Sequence, residues 1–188
     1  MHKNILKTIK KCIKIKNILH NMHFGRIIMN NHKREKKGVD IMIRSMTISD
    51  YEQVYDLWKT IKGFAMRSVD DSKEGVSSFL NRNPKTSVVA VEDDKVVGAI
   101  LCGHDGRRGC MYHVCVHPEY RRKGIGKEMV VYAMKRLQEE GINKVALIAF
   151  TSNDIGNTFW KQIGWTKRED LNYYDFTLNE ANIVAFNE

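Results

Sequence analysis

Val114-Cys115-Val116-His117-Pro118-Glu119-Tyr120-Arg121-Arg122-Lys123-Gly124-Ile125-Gly126-Lys127 is the stretch whose reading decides the fold. An apolar run ends at His117-Pro118, and a basic loop with two glycines follows. From Lys127 to Glu140 the apolar residues Met129, Val130, Ala133, Met134 and Leu137 recur at helical spacing. Strand, glycine loop and helix in that order make a seat for phosphate. The first turn of a helix has unpaired N–H groups and a partial positive charge. Gly124 and Gly126 carry no Cβ to keep a diphosphate off the backbone. Arg121, Arg122, Lys123 and Lys127 put four cations around the same loop. A Walker loop is excluded, because Arg121 stands where its first glycine belongs and Glu128 where it needs Ser or Thr. A dinucleotide fingerprint fits poorly, with Met129 at its third glycine.

Upstream of the loop, Met42–Met46 reads as a strand, and Ser49-Asp50-Tyr51-Glu52 has the form of a capping box. Val54, Leu57, Trp58 and Ile61 then follow at helical spacing, and Gly63 can end that helix. A second helix is expected from about Ser72 to Leu80, closed by Asn83-Pro84. Thr86–Glu92 and Lys95–Gly103 are β-rich runs joined at Asp93-Asp94, a hairpin, and Met111–His117 is the next strand. Downstream, the pattern predicts a strand over Lys144–Phe150, a helix over Asn153–Ile163 and a last strand over Tyr173–Leu178. A hairpin run followed by a β-α-β crossover gives an α/β fold, a mixed sheet with helices on both faces.

The chain has 31 Lys and Arg against 22 Asp and Glu in 188 residues. Eleven of the bases and two of the acids lie in residues 1–41, leaving twenty of each in residues 42–188. The folded part is therefore neutral and gives no basis for nucleic-acid binding. Residues 1–41 form a basic N-terminal extension set outside the fold, read as translated leader or disordered tail. Codons for the Lys-Lys-Gly-Val before Met42 can spell a purine-rich ribosome-binding sequence. A targeting or membrane-surface helix is the remaining reading. Residues 42–188 are the one expected domain, in a cytoplasmic protein without membrane spans. Cys12, Cys102, Cys110 and Cys115 match no zinc spacing, so no metal is expected.

Arg121-x-x-Gly124-x-Gly126 resembles the Gln/Arg-x-x-Gly-x-Gly/Ala loop of the GNAT superfamily of acyl-CoA N-acyltransferases. The strand Val114–Val116 and the turn after it look like that family's fourth strand. Asn153-x-x-Gly156-x-x-Phe159-Trp160-x-x-x-Gly164-Trp165 is similar to its later Asn-x-x-Ala-x-x-Phe-Tyr-x-x-x-Gly-Phe helix. The resemblance spans roughly residues 42–180 and implies a mixed, mostly antiparallel sheet splayed open for acetyl-CoA. It implies that the pantetheine arm lies along Val114, Cys115 and Val116, with the Val114 N–H as oxyanion donor. The diphosphate would rest on Arg121, Arg122, Lys123, Gly124, Ile125, Gly126 and Lys127, and Asn153 would hold the pantetheine or the chain near it.

The implied reaction is direct transfer of acetyl to a primary amine of a small molecule or protein, with a non-catalytic acyl-CoA sensor as the alternative. It needs a neutral amine, a stabilised oxyanion and a leaving thiolate. The family's usual acid, a Tyr, is replaced here by Trp160, and Tyr173 or Tyr174 is the substitute. Tyr112 is the candidate base, because strand alternation places His113 on the wrong face. Asp70, Asp71, Asp170 and Asp175 could draw in a cationic amine, although solvated surface acids are the plainer reading. A homodimer is compatible with all of this.

Overall fold

The computed structural model describes residues 40–187. The expectations for the basic extension fall almost wholly outside the described residues. Of that extension only Asp40 and Ile41 are seen, and Ile41 packs against the core.

The elements in chain order are β1 (Met42–Ser45), α1 (Tyr51–Lys59), β2 (Ala65–Arg67), α2 (Lys73–Arg82), β3 (Val88–Glu92), β4 (Lys95–His104), β5 (Gly109–Val116), α3 (Ile125–Glu139), β6 (Val145–Leu147), α4 (Asp154–Gln162) and β7 (Val184–Phe186). Five strands form one sheet in the order β1-β3-β4-β5-β6, antiparallel except for the parallel pair β5–β6. β2 and β7 make a separate antiparallel ribbon.

Period-2 alternation divides the sheet between two cores. Val89, Val91, Ala99 and Leu101 face α1 and α2, meeting Val54, Leu57, Trp58, Val76 and Leu80. Val88, Ala90, Ile100, Cys102 and Met111 face α3, meeting Ile125, Met129, Val130, Ala133 and Leu137. Each fully buried aliphatic side chain contributes roughly 1.5–3 kcal/mol. Helices therefore cover both faces, as the sequence pattern implies, and the sheet is mixed and mostly antiparallel.

The local signals hold with small shifts. Asp93 and Asp94 both have positive φ (46° and 61°), the two-residue turn whose twist suits a hairpin. The capping interaction sits two residues earlier than Ser49 suggests. The Asp50 carboxylate accepts from the Thr47 N–H at 2.8 Å and from Arg44 Nη2 at 2.6 Å, while the Ser49 hydroxyl meets Thr47 Oγ1. Asp50 is 6% exposed, and a buried carboxylate needs those partners.

Two strand expectations are corrected. β6 is shorter than Lys144–Phe150, since only Val145–Leu147 pairs with β5. Tyr173–Leu178 forms no strand: Tyr174, Phe176 and Leu178 are exposed there. The last strand lies further on, at Val184–Phe186, against the three-residue β2 that the pattern did not reveal. Side-chain amides fix that choice. Asn187 Nδ2 donates to the carbonyls of Trp58 and Ile61, capping the end of α1, and Asn182 Oδ1 accepts from the N–H groups of Val69 and Asp70. Periodicity does not register anchors of that kind.

Candidate active site

The parallel pairing of β5 with β6 stops at Met111 and Leu147. Beyond it, no strand pairs with that edge of residues 112–116 among the described residues. The Gly109 N–H points to Lys144 beside β6, and the His117 N–H points the other way, to Val97 on β4. The His117 and Cys115 N–H groups face β4, so alternation turns the Val116 N–H toward the opened edge, and Val114 lies at the bulge just before it. This is the splay that the sequence resemblance implies. Arg121 already reaches it, donating from Nε to the Val116 carbonyl at 3.0 Å.

The edge runs directly into the glycine loop. Pro118–Tyr120 forms one turn of 3-10 helix. Arg122 takes φ +63°, and Gly124, with φ +89°, is the N-cap of α3 with no side-chain cap. The first backbone bond of α3 runs from the Glu128 N–H to the Gly124 carbonyl. The amides of Ile125, Gly126 and Lys127 precede any intrahelical acceptor. A Cβ on Gly126 would meet the Phe159 ring at 3.4 Å and Val116 at 3.7 Å, so α3 and α4 close tightly behind the loop. Lys123 Nζ lies 4.6 Å over the Tyr120 ring. The side chain of Ile125 is buried in the α3 core and anchors the loop.

Asn153 is the N-cap of α4, its side-chain oxygen accepting from the Gly156 N–H at 2.9 Å. Trp160 lies partly buried against the α3-side core, its ring 5.0 Å from Phe159 and 4.8 Å from Trp165. Tyr173 sits in the exposed segment without regular structure. Burial pushes the Tyr112 phenol above its ordinary value, helped by a hydrogen bond with Cys110. A phenol held protonated suits a hydrogen-bond donor, on a side chain that is 49% exposed. Burial pushes the Cys102 and Cys115 thiols up to about 12, which leaves neither as a thiolate nucleophile at neutral pH.

The sequence reading of His113 is overturned by a β-bulge. The register against β4 shifts between Ala99↔Cys115 and Leu101↔Tyr112, so His113 and Val114 together oppose Ile100. His113 takes φ +50°, a conformation that costs a non-glycine residue roughly 1–3 kcal/mol. The extra residue turns His113 onto the α1–α2 face. Its ring lies 4.7 Å from that of Trp58 and 4.8 Å from that of Phe64. His113 Nε2 meets Asp71 Oδ1 at 2.6 Å, and Asp71 Oδ2 accepts from the Arg67 N–H at 2.7 Å.

The acids expected at the surface therefore divide. Asp71 is buried, and Asp70 accepts from Asn182 Nδ2. Asp170 is exposed and pairs with Arg168, whose hydrogen bond draws it down to about 2. No group of three metal-ligating side chains occurs among the described residues.

The profile of the acetyltransferase (GNAT) family matches residues 51–165. An acetyltransferase of Sodalis glossinidius is 30% identical over 129 residues, 69% of this chain and 89% of the relative. One from Pectobacterium atrosepticum is 31% identical over 112 residues, 60% and 78% of the two chains. Among solved structures, the PaiA N-acetyltransferase of Thermoplasma acidophilum in complex with coenzyme A superposes with a TM-score of 0.60. It is 19% identical, with 77% of this chain and 96% of that one covered. At that identity the likeness bears on the fold.

Proposed function

This chain belongs to the acetyltransferase (GNAT) family, and on that premise we propose that it moves acetyl from acetyl-CoA to a primary amine by direct attack on the thioester. The observation that carries the reading is the open edge of β5, continuous with the uncapped start of α3.

The chain's own groups divide the work. An extended pantetheine arm takes the place of a strand on the edge at Val114–Val116. The diphosphate rests on the amides of the loop and of Ile125, Gly126 and Lys127, with the side chains of Arg121, Arg122, Lys123 and Lys127 around it. The Val114 N–H donates to the thioester oxygen as it becomes anionic, an interaction that is stronger in the transition state than before it. Tyr112, held protonated, is a donor for the departing sulfur. Asn153 borders the arm from the start of α4.

The acceptor enters from the α1–α2 side, where the bulge, Phe64 and the β2–β7 ribbon meet. Small-molecule and protein amines both remain within this reading. A screen of acetyl-CoA turnover against amines of both kinds, followed by free thiol release, tests it directly. Amine-dependent thiol release supports transfer. Binding of acetyl-CoA with no amine-dependent release would support an acyl-CoA sensor instead.

A further inference from the structure

We propose that His113, oriented by Asp71, is the general base that takes the proton from the acceptor amine. The proposal rests on the acetyl-transfer reading above and adds a residue to it. His113 lies within the bulge, next to Val114, whose N–H the acetyl-transfer reading uses as the oxyanion donor. Base and oxyanion donor are thus consecutive in the chain.

The surroundings of the ring fix its tautomer and its orientation. Asp71 Oδ1 sits 2.6 Å from Nε2, so Nε2 carries a hydrogen toward Asp71, and in the neutral ring the lone pair is on Nδ1. Asp71 is itself held, Oδ2 by the Arg67 N–H and its carbonyl by the Tyr51 hydroxyl at 3.0 Å. Trp58 from α1 and Phe64 from the loop after it flank the ring. Tyr112 and Cys115 share its face of β5. Among the described residues Asp71 is the one charged group recorded against it. Nδ1 has no hydrogen-bond partner among the described residues, and it is not among their sealed, unpaired polar atoms. The His113 side chain is 18% exposed, so the ring is not fully sealed. A non-glycine residue at positive φ, held by a buried carboxylate and two aromatic rings, is the kind of strain that marks a working site.

The step balances without a further reactant. The amine nitrogen forms a bond to the acetyl carbon, and Nδ1 takes the proton that nitrogen sheds. The C–S bond breaks, and the sulfur leaves with the electron pair and is protonated. Amine plus acetyl-CoA gives acetamide plus CoA thiol, and His113 returns its proton to solvent.

Three full-length proteins test this: the parent, His113→Gln and Asp71→Asn. Gln can still donate to Asp71, so the bulge keeps its anchor while the base is lost. CoA affinity is measured by calorimetry, and kcat and kcat/KM with an amine panel from pH 5.5 to 9. The imidazole tautomer is read by long-range nitrogen-15 NMR, which needs no acceptor. The expected result is CoA affinity within about threefold in all three. His113→Gln should lose kcat by roughly a hundredfold or more. The ascending limb of kcat/KM should change in both variants, and the parent should show a hydrogen on Nε2 and none on Nδ1. CoA bound normally with kcat in His113→Gln within fivefold of the parent overturns the proposal and leaves the acetyl-transfer reading standing. So does an Nδ1–H tautomer in the parent, even if His113→Gln fails to fold. No CoA binding by the parent overturns both.

Discussion

His113 shows how one residue can escape a sequence pattern. Strand alternation assigns it to the wrong face, and the bulge that reverses the assignment leaves no periodic trace. The glycine loop is legible for the opposite reason: its chemistry requires small residues and cations at fixed separations, and those are visible as letters. Trp160 lies between these cases. Its place in the later helix could be read, and so could the loss of the usual Tyr, but the role of its ring could not. Its stacking against Phe159 and Trp165 is core packing. Trp160→Phe keeps an aromatic ring there and removes only the indole N–H. It should cost less than about tenfold in kcat/KM, or about 1.4 kcal/mol. The parent should show no descending limb between pH 6 and 10, since Tyr112 is held above its ordinary value and stays protonated. A hundredfold loss in Trp160→Phe, or a bell-shaped profile in the parent, would show that a titrating acid exists and that this assignment is wrong.

At the scale of elements, the long amphipathic pieces were readable and the ribbon strands β2 and β7 were not. α1, α2, α3 and α4 each announce an apolar face, and each lies within a few residues of its expected bounds. β2 and β7 have three residues apiece and are held by Asn182 and Asn187 from outside the strands. Three residues carry no period, so alternation pointed instead to Tyr173–Leu178, which pairs with no strand among the described residues. The link between β1 and α1 gives a test of a different kind. Desolvation works to raise the Asp50 carboxyl, but the hydrogen bonds from Arg44 and Thr47 outweigh it and hold the group below its ordinary value. A depressed carboxyl contributes stability above its unfolded pKa and loses it as pH falls through the folded one. Arg44→Met should therefore lower stability by about 1–2 kcal/mol at pH 7. The gap in melting temperature between the two proteins should narrow as pH drops below the ordinary carboxylate range. A gap that stays constant down to pH 2 would show that Arg44 acts through packing alone.

At the scale of the molecule, the neutral charge of residues 42–188 sets them apart from the basic extension before them. Ile41 packs on the core, which places the useful starting point at Asp40. We expect a chain beginning at Asp40 to keep its melting temperature within about 2 °C and its CoA affinity within about twofold. A loss of ten degrees, or of tenfold in affinity, would make the extension part of the working protein. Nearly everything else depends on one site, where the open edge of β5 meets the start of α3. The most direct measurement is the calorimetric affinity for CoA of the parent, Gly124→Asn and Gly124→Asp. At φ +89° both replacements meet similar backbone strain, and both side chains tolerate left-handed conformations better than most. They differ by one negative charge beside the expected diphosphate. The account predicts measurable CoA binding in the parent, a modest loss in Gly124→Asn and none detectable in a folded Gly124→Asp. Equal affinity in the two variants, or in Gly124→Asp and the parent, would contradict it.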